Sequence, residues 1–153
     1  MSRVSASIAV NASLAEVWDF YFAAESWPAW VDGFGRVESS NGYPETTGTL
    51  RWASGPAGRG AVTERVLEHE PRRLHRIAFE DPETSGELKV TFEIQGDGTL
   101  VTQDQDYRLR RGGPLAKLTD RLFIRSQMRG SLARSLGRLK LEVEEAAAGT
   151  QPI

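Results

Sequence analysis

The sequence predicts an α+β fold: a curved, seven-stranded antiparallel sheet wrapped around one long C-terminal helix, with two short helices after the first strand. Three observations lead there. Apolar and polar residues alternate in short runs between residues 34 and 109, and turns bearing Gly, Pro or Asn separate the runs, as in strands joined by hairpins. A stretch holding Trp18, Trp27 and Trp30 breaks the alternation near the start. From Pro114 onward, leucines recur at helical spacing nearly to the end of the chain.

The first strand is read from Val4, Ala6, Ile8 and Val10, which alternate with Arg3, Ser5, Ser7 and Ala9 and leave one face to bury. A helix capped by Asn11 or Ser13 follows. Glu16 stands three residues after Ser13 in a capping-box pattern, and Leu14, Val17, Trp18 and Tyr21 form the apolar side. A second helical turn is expected over 26–32, with Trp27-Pro28 at its start, so the two short helices form a V. Six further strands are expected near 34–40, 48–54, 60–69, 73–80, 86–95 and 99–109, separated by Asn41-Gly42, the 55–60 loop, Pro71, Asp81-Pro82 and Gly96-Asp97-Gly98.

Leu88, Val90, Phe92 and Ile94 give the clearest inward face. In the last strand, Val101 and Leu109 frame Gln103, Gln105 and Tyr107. That face is either a partly polar interior, whose amides find partners in a ligand or water, or part of a strand wet on both sides. The long helix opens at Pro114 with a stripe of Leu118, Leu122, Leu132, Leu136, Leu139 and Val143. Phe123, Ile124 and Met128 lie off the stripe, and Gly130 is the expected bend. On this pattern the N-terminal half roofs a cavity and the C-terminal half packs on the sheet.

A chain of 153 residues implies a single domain, placed at 1–145, with a flexible tail over 146–153. The 19 basic and 21 acidic residues nearly cancel to a net charge of -2, which leaves no field to steer the molecule onto nucleic acid. The absence of cysteine excludes disulfides, thiol catalysis and thiolate metal sites. No apolar run reaches signal or membrane-spanning length, so a soluble cytoplasmic protein is expected. Only two histidines are present, too few for a protein-held metal without acids at ligand spacing. The 55–60 loop lacks the Lys-Ser/Thr ending of a phosphate loop. No cofactor is therefore expected.

Several side chains carry what chemistry the sequence offers. Trp18, Trp27, Trp30 and Trp52 are many for a chain of this size, and Phe34, Phe92 and Tyr107 are expected to join them around one cavity, where large aromatic walls suit flat or greasy ligands; of these, Trp18 is assigned to core packing. Entry is expected near the helical V and the loops around Gly42 and Asp81. His69 and His75 flank the Pro71 turn and read as surface histidines rather than one site. Glu64 and Arg76 lie on adjacent strands: inward, they would serve as acid, base or anion clamp; outward, they form a cross-strand pair, the orientation expected for Glu64. Arg125 and Arg129, one helical turn apart, either hold a ligand carboxylate, phosphate or phenolate at the cavity mouth or are turned to water by the bend at Gly130. The expected ligand-binding set is thus Trp30, Phe34, Trp52, Arg76, Phe92, Gln103, Gln105, Tyr107, Leu122, Arg125 and Arg129.

The stretch Ile8-Ala9-Val10-Asn11-Ala12-Ser13-Leu14-Ala15-Glu16-Val17-Trp18-Asp19 resembles the opening of the SRPBCC superfamily, the START and birch-allergen-like group. Trp27-Pro28-Ala29-Trp30, Val66-Leu67-Glu68-His69-Glu70-Pro71-Arg72-Arg73-Leu74, Gly98-Thr99-Leu100-Val101-Thr102 and Leu139-Lys140-Leu141-Glu142-Val143-Glu144 match in order and spacing, most closely to the bacterial polyketide cyclase/dehydrase-like branch. The resemblance implies a helix-grip fold and binding of a lipid, polyketide or other hydrophobic molecule for transport, sequestration or sensing. It also implies two alternatives. One is a metal-free cyclase or dehydratase in which Tyr107, Gln105 or an inward Glu64 moves protons; the other is a protein-interaction module with a vestigial cavity, associating through the C-terminal helix.

Overall fold

The chain runs β1 (Ser2–Val10), α1 (Leu14–Phe22), a tight turn of helix (Ala24–Ser26), α2 (Trp27–Trp30), β2 (Phe34–Asn41), β3 (Thr49–Ser54), β4 (Ala61–Glu70), β5 (Leu74–Glu80), β6 (Thr84–Gln95), β7 (Gly98–Leu109), α3 (Pro114–Thr119) and α4 (Arg125–Gly149). The computed structural model describes residues 2–55, 60–110, 113–119 and 123–149. Residues 56–59 of the expected loop, Leu122, and the tail from residue 150 lie outside the described residues.

Each early element follows from local chemistry. Ser13 caps α1 with its hydroxyl accepting from the Glu16 backbone N–H at 3.2 Å, and the Glu16 carboxylate accepts from the Ser13 N–H at 3.4 Å, the reciprocal box that satisfies two orphan donors of the first turn. Pro28 sits in the first turn of α2, where a missing N–H costs nothing. Trp27 anchors that turn by donating its indole N–H to the Tyr21 carbonyl at 2.9 Å.

All seven strands form one antiparallel sheet in the order β1-β7-β6-β5-β4-β3-β2. Six of the strands are consecutive hairpins, whereas β1 crosses to pair with β7. Consecutive β1 and β2 therefore occupy opposite edges, and α1 and α2 bridge the concave face between them. This is the helix-grip α+β architecture, with α4 lying in the grip.

From its second turn onward α4 buries Leu132, Leu136, Leu139 and Val143, each side chain contributing about 1.5–3 kcal/mol on burial. Polar ties fix its position against β1: Lys140 Nζ donates to the Ala9 carbonyl at 3.1 Å, and the Asn11 N–H donates to Glu144 Oε1 at 3.0 Å. The helix departs from expectation at its start. From Pro114 the described residues comprise the six-residue α3, a wider helical turn at Phe123 and Ile124, and the 25-residue α4. Leu118 is 54% exposed rather than part of the buried stripe. Gly130 makes no break, because α4 runs through it; a helical glycine lowers stability without interrupting the hydrogen-bond ladder. α4 also continues through residues 146–149, the first part of the expected tail.

Gly86 marks the tightest crossing in the sheet. It pairs with Tyr107, and a Cβ there would lie 1.9 Å from the Asp106 carbonyl oxygen and 2.8 Å from the Tyr107 Cα, so only glycine lets the two strands approach. Gly86→Ala is expected to lower stability by about 2–3 kcal/mol through forced backbone displacement, measured as a fall in the urea midpoint; an unchanged midpoint would refute this account of the crossing.

Candidate functional site

Between the concave sheet face and the first turns of α4 lies a cavity of about 900 Å³, within the size range of small-molecule sites. One wall is a strip of four rings. Trp27 stands 5.9 Å from Tyr43 and 6.0 Å from Phe34, and Phe34 stands 5.6 Å from Trp52, centroid to centroid. Met128, Ser131, Leu132 and Ser135 of α4 form the roof, and Gly60, Pro82, Glu83, Gln127 and Arg134 are exposed at the rim. The mouth thus opens between the β3–β4 and β5–β6 turns and the start of α4.

Glu64 faces this cavity. It lies between the buried Val62 and Val66 on β4, opposite Phe79 of β5, and its Oε2 accepts the Trp52 indole N–H at 2.8 Å. The expected exposed orientation is corrected by that hydrogen bond, which compensates the carboxylate for lost water. Its charge also reaches two phenols. Burial holds the hydroxyls of Tyr21 and Tyr43 well above the usual tyrosine range, and the Glu64 carboxylate pushes both further in that direction.

On the β7 wall, Gln103 Nε2 donates to the Tyr21 hydroxyl at 2.9 Å, and its Oε1 has no partner among the described residues. Gln105 Nε2 contacts Met128 Sδ at 3.8 Å. Both amides line the cavity and are almost fully buried, so this face of β7 is the partly polar interior rather than a wet edge.

The two histidines form a unit that alternation conceals. Strand β4 carries a bulge between Val66 and Glu68, and the extra residue reverses which side chains face inward. His69 is thereby placed directly opposite His75, with the two Nδ1 atoms 2.9 Å apart. His75 Nε2 lies 3.4 Å from the Tyr43 hydroxyl, and Phe22 packs edge-on against both imidazoles. The expectation of two surface histidines is therefore corrected: His75 is 3% exposed and lines the cavity. Burial, reinforced by the His69 ring, pushes the His75 pKa down to about 3. Burial also lowers that of His69, with Glu45 opposing.

Asp32 ties the helical V to α4. Its carboxylate accepts from Ser131 Oγ at 2.8 Å, from Arg134 Nη2 at 3.0 Å and Nε at 3.2 Å, and from Arg138 Nη1 at 3.3 Å, while its backbone N–H donates to Ser135 Oγ at 2.9 Å. The Arg134 guanidinium holds the Asp32 carboxyl below the usual carboxylate range.

Of the residues expected around a ligand, Trp30, Phe34, Trp52, Gln103 and Gln105 line the cavity, as does Glu64 from the catalytic set. Five others lie elsewhere. Tyr107 is wholly buried in the core, where the close β6–β7 crossing encloses it. Phe92 packs against Trp18 and Tyr21. Arg76 is on the outer sheet face, donating to Glu87 at 3.1 Å and Glu68 at 3.4 Å, because the strand alternation that buries His75 and Ile77 points it away. Arg125 and Arg129 are exposed and do not line the cavity; the helix itself turns them to solvent, without a bend. Trp27, one of the tryptophans expected around the cavity, also lines it, whereas Tyr21, Tyr43, His75 and Asp32 were not among the expected site residues. Among the described residues, no group of three or more His, Cys, Asp or Glu side chains is arranged to hold a metal, and no helix is long and apolar enough to cross a membrane.

The sequence profile of the family described as "Polyketide cyclase / dehydrase and lipid transport" matches residues 1–144. No curated protein gives a significant match. Among solved structures, a protein from Rhodobacter sphaeroides aligns with TM-score 0.72 at 19% identity, covering 95% of this chain and 93% of that one. CV1439 from Chromobacterium violaceum aligns with TM-score 0.71 at 14% identity, covering 94% and 99%. DynU16, from the dynemicin biosynthetic locus, aligns with TM-score 0.69 at 19% identity; the match covers 95% of this chain but 48% of DynU16, about half its length. At these identities the likeness is one of fold.

The His69–His75 pair gives a pH signature. Because the folded-state pKa of His75, about 3, lies below the unfolded value of about 6.5, the unfolded chain binds the proton first as pH falls. Its contribution to stability is complete above pH ~6.5 and is lost between there and pH ~3, at up to about 1.4 kcal/mol per pH unit; His69 adds in the same sense. Urea titrations at pH 6.5, 5.5 and 4.5 are expected to show a clearly shallower loss for His75→Gln than for the native chain. Equal losses would mean that the pair is not held neutral.

Proposed function

This chain belongs to the family of polyketide cyclase / dehydrase and lipid transport proteins, and we propose on that premise that it binds a hydrophobic or aromatic small molecule, such as a lipid or polyketide. Transport, sequestration and sensing would each use such binding. The observation that carries the reading is the open cavity of about 900 Å³ with its continuous strip of Tyr43, Trp27, Phe34 and Trp52. Flat ligands gain both area burial and favourable ring geometry against such a wall. The open cavity favours this reading over an interaction module with a filled one. A cytoplasmic setting, expected from the cysteine-free composition, forms part of it.

A second reading is supported by one arrangement. Glu64 and Tyr43 line the same cavity, with the His75–His69 pair behind Tyr43. A carboxylate base and a protonated phenol suit proton transfer on a polyketide-like substrate, as in a cyclase or dehydratase.

Native mass spectra of freshly purified protein, before and after mild denaturation, test the binding reading. A released hydrophobic compound is the expected result. For apo protein, titration with the neutral probe N-phenyl-1-naphthylamine is expected to quench tryptophan emission and saturate in the micromolar range, and Trp52→Ala to weaken binding about tenfold. Failure to release a compound together with failure to take up the probe would sink the reading. Turnover that disappears in Glu64→Gln while probe affinity persists would establish the enzymatic alternative.

A further inference from the structure

The wall that faces the aromatic strip is polar. Strand β7 stands one place from the β1 edge of the sheet, whereas Phe34 and Trp52 belong to β2 and β3 at the other edge. Sheet curvature therefore sets the two against each other across the cavity. Gln103 and Gln105 share the inner face of β7, two residues apart, a spacing of about 6.5 Å along a strand. They are 4% and 6% exposed, and both line the cavity. An amide buried to that degree costs free energy unless its donor and acceptor ends are matched, and neither of these is.

The two mismatches are of opposite kind. Gln103 donates from Nε2 to the Tyr21 hydroxyl at 2.9 Å, and its Oε1 is buried without a partner among the described residues. Tyr21 is itself packed against Trp30 and Phe92, so the amide is held in place by a fixed ring. Gln105 meets Met128, its Nε2 lying 3.8 Å from Sδ. A thioether is a weak acceptor, and it sits on a flexible side chain that readily moves aside. One position thus calls for a donor, and the other for a better acceptor than sulfur. A ligand that covers an amide without replacing the hydrogen bonds water would make there loses affinity.

Resting on the binding reading above, we infer that Gln103 and Gln105 form a two-point polar subsite on β7 that takes a flat aromatic molecule bearing a hydroxyl and a carbonyl along one edge. Gln103 Oε1 accepts from the hydroxyl, Gln105 Nε2 donates to the carbonyl oxygen, and the aromatic strip covers the apolar remainder. A plain hydrocarbon chain covers the same rings but leaves both amides unmatched. The cavity therefore prefers oxygenated aromatics to simple lipid chains, because positioned polar groups discriminate more sharply than the shape of an apolar pocket.

Five naphthalenes titrated against the tryptophan emission of the full chain at pH 7.5 test this: 2-methylnaphthalene, 2-naphthol, 2-acetylnaphthalene, 7-acetyl-2-naphthol and the methyl ether of the last. Gln103→Leu is expected to weaken 2-naphthol and 7-acetyl-2-naphthol about fivefold, the worth of one hydrogen bond, and to spare 2-acetylnaphthalene. Gln105→Leu is expected to weaken 2-acetylnaphthalene and 7-acetyl-2-naphthol by a similar factor and to spare 2-naphthol. Neither substitution is expected to weaken 2-methylnaphthalene. The native chain decides the matter even where a variant does not fold. There the ether, although more apolar, is expected to bind at least about fivefold more weakly than 7-acetyl-2-naphthol, because methylation removes the donor. Equal losses for every ligand, an exchange of the two variants' patterns, or an ether that binds as tightly as its parent overturns the inference while leaving the aromatic cavity intact. If none of the five binds the native chain, the binding reading falls and takes the inference with it.

Discussion

Everything at the site depends on how α4 is held. Its C-terminal half is fixed by packing of Leu136, Leu139 and Val143 and by the ties from Lys140 to Ala9 and from Glu144 to Asn11. Its middle is fixed by Asp32, which reaches across from the helical V to Ser131, Arg134 and Arg138. Two anchors on one rigid rod leave the first turns no freedom to settle onto the sheet. The sheet curves away beneath them, and the intervening space becomes the cavity. The volume is thus a consequence of helix stiffness and strand curvature, with Met128, Ser131 and Leu132 serving as its roof.

The same geometry decides which polar side chains become functional. Strands β4 and β5 supply the far wall, and the bulge after Val66 sets two inward faces of opposite parity on one strand. Before the bulge, Glu64 points in; after it, His69 does. Without the bulge, alternation would turn His69 to the outer face and bring Glu68 opposite His75. One unpaired residue therefore assembles the His69–His75–Tyr43 chain. Burying the His75 imidazole against the half-buried His69 is tolerable because the ring nitrogens at the contact are partners and burial favours the neutral form of both rings.

The architecture was largely legible in the sequence, because hairpin turns and strict alternation report strands directly: the expected strand at 86–95 is observed at Thr84–Gln95, and that at 73–80 at Leu74–Glu80. The buried half of α4 was legible for the same reason, through Leu132, Leu136, Leu139 and Val143. The site was legible only where side-chain type and face coincided, as for Trp52 and Gln103. Glu64 was misassigned because a charged residue is ordinarily exposed, although Val62 and Val66 two residues to either side carried its inward phase. No comparable signal existed for His69, since a bulge leaves no mark in composition. Tyr43 lies in the turn between β2 and β3, beyond the reach of any periodicity, and its position depends on Trp27 and His75.

These polar groups also show why a cavity this aromatic need not act as an indiscriminate hydrophobic sink. A wall of rings rewards any flat molecule in proportion to the area it covers, which gives affinity but little selection. Selection comes from the few groups that cannot be satisfied by an arbitrary occupant. Gln103 behind Tyr21 is such a group: its Oε1 is buried and without a partner among the described residues. A ligand donor that reaches the Gln103 amide oxygen completes a hydrogen bond there, whereas an apolar group at that point leaves it unmatched. Keeping such an acceptor buried in an otherwise apolar wall costs stability that a matching ligand donor recovers.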